Sequence, residues 1–422
     1  MKKGLKYLAV LGMLLGGLAG CKTGTTGSSA DPQTKTTKKA AALPSFSQAE
    51  KEAKGKTVTF YGYGGSDTQN AWVDGVITPQ MKEKYNITVK RVPMNIEDIM
   101  NKLVTEKEAQ KTKGDIDTVW INGENFYTAK QGKLLAGPLL GKIPNVKKLM
   151  NEKDPNVVRD FQIKTDGYEV PFGTAQLTFI GSKKAFAGEY PTSAEKLLAY
   201  AKAHPGRITY PAPPEFTGSA FVRNLFCDIV GFDALNKAGD SYDELLKVSQ
   251  PAIAWFNEIK PFLWQEGKTY PTTASEMDEL FADGQLDLTF NYAQMHNAAQ
   301  QEQGKFTSDA QSFLLDKGTL TNYNYLAVPE TASEKGAALL LINEMIAEEA
   351  MKKKAELQYG GAIPPYDFTK VDSGFKRDVE ALYADKGEVS LDELQSKQIP
   401  ELSAKKIPVI EKIWQEKVLN AE

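Results

Sequence analysis

Tyrosines, acids and amides recur where this sequence should turn from strand into helix, and any binding chemistry would sit at those turns. The stretches are "YGYGGSD" with Tyr63, Ser66 and Asp67; "INGENF" with Asn122, Glu124, Asn125 and Phe126; and "YPAPPEFTGS" with Tyr210, Glu215, Phe216 and Thr217. "FNYAQ" adds Asn291 and Tyr292, and "TNYNY" adds Asn322 and Tyr323. A ring face attracts a cation by about 0.5–2 kcal/mol per contact, and a carboxylate neutralises it. A pocket of these residue types therefore suits a small organic cation, and no lysine or arginine stands among them. Each acid also has a simpler role. Asp67 and Glu124 fall in first helical turns, where negative charge is favourable, and Phe126 suits a core as well as a cleft. An anion is the rival ligand, held by helix N-termini and the hydroxyls of Ser66, Thr217 and Ser219, and a neutral sugar is a third. The glycines Gly62, Gly64 and Gly65 either bare backbone N–H groups to a ligand or serve a tight turn.

Catalysis has less to draw on. His204 and His296 are the two histidines of the chain, too few for a multi-histidine zinc site and poor material for a Ser-His-Asp triad. Neither G-x-S-x-G nor H-E-x-x-H occurs. Glu124 and Glu215 as an acid/base pair of a surface hydrolase form the enzymatic alternative; an adhesin is the structural one. A net charge of −3 argues against nucleic acid. No enzyme, metal or cofactor is expected.

The N-terminus has a positive region (Lys2, Lys3, Lys6) and a short apolar core, "YLAVLGMLLGGL", the pattern of an export signal. It closes in "LAGC", Leu18 to Cys21, which resembles a bacterial lipobox; the resemblance implies cleavage before Cys21 and lipid attachment to its sulfur. Cys227, in "FVRNLFCDIVG", reads as a small buried hydrophobe, so no disulfide is expected. Residues 21–45 are rich in Thr, Ser, Gly and Lys and form a flexible tether.

A chain of 422 residues with 41% hydrophobic composition implies two folded domains beyond the tether. "KTVTFYGY", "NITVKRVPM" and "DIDTVWING" read as strands, and helical patterns follow each of them, as in a parallel sheet with crossovers. Strand–loop–helix units recur after residue 177, and the C-terminal third reads as helical.

With "FYGYGGSDTQNAW", "DTVWINGENF", "VPFGTAQLTFIGSKKAF", "YPAPPEFTGSAFVRN", "LTFNYAQMHNA" and "YLAVPETASEKGAALLLINEMIAEEAM", the chain resembles an extracellular solute-binding lipoprotein of a bacterial ABC importer. The likeness is to family 1 of the type II periplasmic binding proteins, nearest to a thiamine/polyamine-type subgroup. It implies an α/β fold of two lobes, each a mostly parallel sheet flanked by helices, joined by crossing hinge strands around a ligand cleft. Mapped onto this chain, 1–20 is the signal peptide, 46–176 and 320–350 form lobe I, and 177–319 and 351–422 form lobe II. The resemblance further implies a monomer in the cell envelope, facing outside the cytoplasm. Its partners would be a small-molecule ligand, a permease and an ATPase, and its membrane contact lipidated Cys21.

Overall fold

The computed structural model describes residues 41–64 and 66–421. The expected signal peptide, Cys21, most of the tether and Gly65 lie outside the described residues.

Among the described residues, twelve strands build two main sheets and a small hairpin. They are β1 (Thr57–Gly62), β2 (Thr88–Pro93), β3 (Thr118–Ile121), β4 (Leu135–Ala136), β5 (Arg159–Asp160), β6 (Ile163–Lys164), β7 (Glu169–Gln176), β8 (Thr178–Ser182), β9 (Leu288–Asn291), β10 (Ala310–Phe313), β11 (Thr319–Pro329) and β12 (Gln398–Pro400). β1 runs parallel to β2, with Thr57 opposite Thr88, and parallel to β3, with Phe60 opposite Thr118. That is the expected crossover pattern. The sheet then becomes mixed, because the long β11 lies antiparallel to β3, β4 and β7 and parallel to β12.

The second sheet departs from the expectation of mostly parallel pairing. β8 is its centre and runs antiparallel to both β9 and β10. Only Leu177 separates β7 from β8, so β8 enters in the direction set by the first sheet. β9 and β10 arrive from the helical part and flank it against that direction.

Each sheet has its own core. The first collects around helix Lys335–Met345, where Ala337 to Ile342 are all buried; such an apolar helix has no face to give to water. The second gathers Phe179, Phe221, Phe256 and Phe290, and a smaller cluster packs Ile99, Leu103 and Phe126 beside β3. The C-terminal segment divides between the cores: residues 399–418 pack in the second, and 351–394 pack in the first through Met351, Tyr366, Phe375, Val379, Tyr383 and Leu394. The reason is a helical stripe: Phe375, Val379 and Tyr383 are four residues apart on helix Ser373–Tyr383, and the Tyr366 ring packs at a tilt on Phe375 while its hydroxyl donates to Ile346 O at 2.7 Å.

Candidate functional site

A cleft of ≈ 360 Å³ opens between the end of β3, beside the smaller third cluster, and two helices of the second core. On one side it is lined by Asn122, Glu124 and Asn125, at the junction of β3 with helix Gly123–Gln131, and by Phe161. Gly123 sits at φ +58°, which the turn into the helix demands and which suits a residue without a Cβ. Its N–H donates to the buried Asp160 carboxylate, so the protein itself occupies that donor at the helix start. Burial raises the Asp160 carboxyl well above its usual range; the Gly123 N–H opposes the rise and the nearby Glu401 adds to it. Asp160 also begins the turn of the β5–β6 hairpin, where Phe161 (φ 42°) and Gln162 (φ 62°) are both left-handed. Two-residue hairpins favour such geometry, usually with Asn or Gly. Here Phe161 takes it, and its ring reaches the cleft beside Gly123. Two bonds fix the turn to the C-terminal segment: Ala404 N–H to Phe161 O (3.1 Å) and Gln162 Nε2 to Glu401 O (3.0 Å).

The opposite wall is the start of helix Phe216–Val230 together with Glu411 of helix Ile407–Trp414. Glu215 caps the first helix by accepting from Gly218 N–H at 2.6 Å. Ser219 and Arg223 lie four residues apart and therefore share one face. The Arg223 guanidinium donates through Nε and Nη2 to the two oxygens of Glu401 (3.1 and 3.0 Å) and through Nη1 to Ser219 Oγ (2.5 Å). Ser219 Oγ in turn donates to Glu411 (2.5 Å), and the Tyr292 hydroxyl donates to Glu401 (2.5 Å). Burial works against the charge on Arg223, but Glu401 and its neighbours outweigh it and hold the pKa above the usual arginine value. Phe216, 56% exposed, leans on the Tyr292 ring at 5.3 Å and offers its free face to the cleft.

Of the residues singled out by sequence, Asn122, Glu124, Asn125, Phe216 and Ser219 line this cleft. Tyr292 stands behind Phe216 rather than on the surface of the cleft. The others have structural occupations. Phe126 is fully buried in the third cluster, and Tyr210 in the second core, stacked on Phe221 and accepting from Trp414 Nε1 at 3.1 Å. Glu215 is a cap and Thr217 is buried in the first turn of that helix. Asn291 accepts from Ala293 N–H at 3.0 Å. Asn322 and Tyr323 line a separate cavity of ≈ 10 Å³ with Asp160 and Glu401. Ser66 caps helix Asp67–Trp72, with Asp67 in its first turn, and Tyr63 is 56% exposed outside the cleft lining. A Cβ on Gly64 would stand 2.3 Å from the Pro93 Cβ, so close packing accounts for that glycine. His296 pairs with Asp278 (2.7 Å), His204 stacks on Tyr200, and Cys227 is buried. Among the described residues no group of three or more His, Cys, Asp or Glu is placed to hold a metal.

Arg223, Glu411 and Phe161 were missed by the loop reading. Arg223 had a signal: a lone basic residue in the apolar run "FVRNLFC" is costly to bury and needs a reason. Glu411 looked like an ordinary polar position of an amphipathic helix. Phe161 occupies a turn whose sequence carries no glycine or asparagine to mark it.

The model of the bacterial extracellular solute-binding protein family matches residues 77–381. Protein YnjB of Escherichia coli K12 is 31% identical over 338 residues, 80% of this chain and 86% of that protein. The fold is shared with the crystal structure of an ABC transporter from Clostridium perfringens (14% identity, TM-score 0.62, covering 86% of this chain and 99% of the other). It is likewise shared with the spermidine/putrescine ABC transporter substrate-binding protein PotD from Streptococcus pneumoniae (14% identity, TM-score 0.62, covering 87% and 100%). At such identities the structural likeness concerns the fold. The family match spans most of the chain, and this chain belongs to the bacterial extracellular solute-binding proteins, a family of binders rather than enzymes.

Proposed function

We propose that the protein is the solute-binding component of an ABC importer and takes a small organic cation, thiamine-like or polyamine-like, into the cleft. The observation that carries the ligand class is the charge of the cleft lining. Glu124 and Glu411 face it, while its one lining basic group, Arg223, is matched by Glu401. Phe161 and Phe216 supply ring faces for the cation. The anion reading loses support, because Asp160 and Glu215 already accept from amides at the two helix starts beside the cleft.

In this reading residues 46–176 with 320–394 form one lobe and 177–319 with 399–419 the other. Ligand contacts from both lobes favour the closed population. Cys21, as a lipidation site, would hold the chain at the membrane beside a permease and its ATPase; Cys21→Ser should then release it from the membrane fraction.

Retention from a metabolite extract, with mass spectrometric identification, tests the ligand class. Calorimetry of the retained compound on Glu124→Gln and Glu411→Gln should show tenfold to a hundredfold weaker binding, about 1.5–3 kcal/mol each. A retained compound lacking a basic nitrogen, or unchanged affinity in both variants, refutes the proposal.

A further inference from the structure

Arg223 has more donors than its protein partners use. A guanidinium carries five N–H groups. Glu401 takes one from Nε and one from Nη2, and Ser219 takes one from Nη1. That leaves two N–H groups on a side chain that is 3% exposed and lines the cleft, and the Tyr292 hydroxyl stands close enough to take one of them. Buried donors are normally satisfied, and leaving them without an acceptor is costly.

The buried Glu401 needs a counter-charge and Arg223 supplies it, but that pairing uses only part of the guanidinium's donor set. The Tyr292 hydroxyl already donates to Glu401, and Ser219 already donates to Glu411. The bidentate grip on Glu401 also fixes the guanidinium plane, so the remaining donors keep a constant direction. A donor fixed in this way suits an oxygen acceptor. The carboxylates of Glu124 and Glu411, lining the same ≈ 360 Å³ space, suit a positive group. A simple anion would meet both carboxylates, and a simple cation would leave the arginine donors unused.

We propose that Arg223 is a specificity-determining residue that donates to an oxygen acceptor, a hydroxyl or carboxylate, carried by the ligand. The ligand is then amphoteric in hydrogen-bonding terms: a basic nitrogen between Glu124 and Glu411, and an oxygen against Arg223. This rests on the cation reading above and narrows it to cations bearing an acceptor oxygen.

The test uses the full chain in detergent, a cellular metabolite extract as probe, and the variant Arg223→Lys, which keeps the charge and loses the planar fork. Wild type should retain compounds with both a basic nitrogen and an acceptor oxygen. Arg223→Lys should bind the same compound about tenfold to a hundredfold more weakly. A retained cation without an acceptor oxygen overturns the role of Arg223 and leaves the cation reading standing, as does unchanged affinity in a folded Arg223→Lys. A retained compound without a basic nitrogen overturns both, and so does a wild type that retains nothing. If Arg223→Lys does not fold, as far-ultraviolet circular dichroism would show, the chemistry of the compound held by wild type still decides.

Discussion

Breaking the Arg223–Glu401 pair should destabilise the ligand-free protein more than removing it whole. The two side chains are 3% and 1% exposed, so neither charge can be left to water. In Glu401→Met, Arg223 loses two charge-assisted bonds of 3.1 and 3.0 Å and keeps Ser219, while the Tyr292 hydroxyl loses its acceptor. Two charge-assisted bonds at about 1.5–3 kcal/mol each give roughly 3–6 kcal/mol. That agrees with the about 3–5 kcal/mol typical of a buried charge deprived of its partner. In Arg223→Met with Glu401→Met no buried charge is stranded, because Ser219 retains Glu411. What remains is the Tyr292 hydroxyl, an unmet donor costing about 1–3 kcal/mol. The double variant should therefore be more stable than Glu401→Met. Urea unfolding followed by tryptophan fluorescence, with Trp414 in the same core as a reporter, measures wild type, Glu401→Met, Arg223→Met and the double variant. The reasoning fails if Glu401→Met costs under about 1 kcal/mol, or if the double variant costs the sum of the singles.

Three other perturbations have worked signs. Gly218→Ala would bring a Cβ within 1.8 Å of the Pro211 carbonyl oxygen, so it should cost about 1–3 kcal/mol despite alanine's better helix propensity; a raised melting midpoint would deny that close approach. Burial pushes the Glu388 carboxyl up to about 7, against the bonds it accepts from Ser312 Oγ (2.5 Å) and Ala298 N–H (2.7 Å). A raised carboxyl pKa gives stability that is full below the unfolded value and lost as pH rises through the folded one. Wild type should thus lose about 3 kcal/mol between pH 4.5 and 7 from this group, and Glu388→Gln should remove that slope in pH-dependent unfolding. Lys354 is buried over the rings of Trp72 (4.2 Å) and Phe172 (4.0 Å) with Gln69 Oε1 at 2.9 Å, and burial pulls its pKa well below the usual lysine range. Such a depressed group contributes stability that is full above its unfolded value and lost as pH falls. Lys354→Met should stabilise the protein at neutral pH and flatten that dependence; a lower melting midpoint at pH 7 would show that the two rings hold a charged lysine after all.

The opening β-α-β run was legible because its signals are local. "TVTFYG" is a β-rich run and Ser66 is a cap that bonds within three residues, and further on the apolar "GAALLLIN" can only be an interior helix. The loops after β3 and before helix Phe216–Val230 were legible as cleft candidates for the same reason, and five of the residues singled out around them line the cleft. Local pattern does not carry the direction of β8, since a strand's alternation is the same whichever way its neighbours run. It also could not divide the C-terminal third, whose amphipathic helices would satisfy either core. Contact decided that 351–394 packs with helix Lys335–Met345 and that 399–418 packs with Phe221. The charge of the cleft was decided in the same way. Arg223 and Glu401 are 178 residues apart, and only the folded chain brings them to 3.0 Å. Their pairing turns an arginine that sequence would count as a free positive charge into a charge-compensated, oriented donor, because a guanidinium buried in a low-dielectric interior needs a counter-charge within hydrogen-bonding distance.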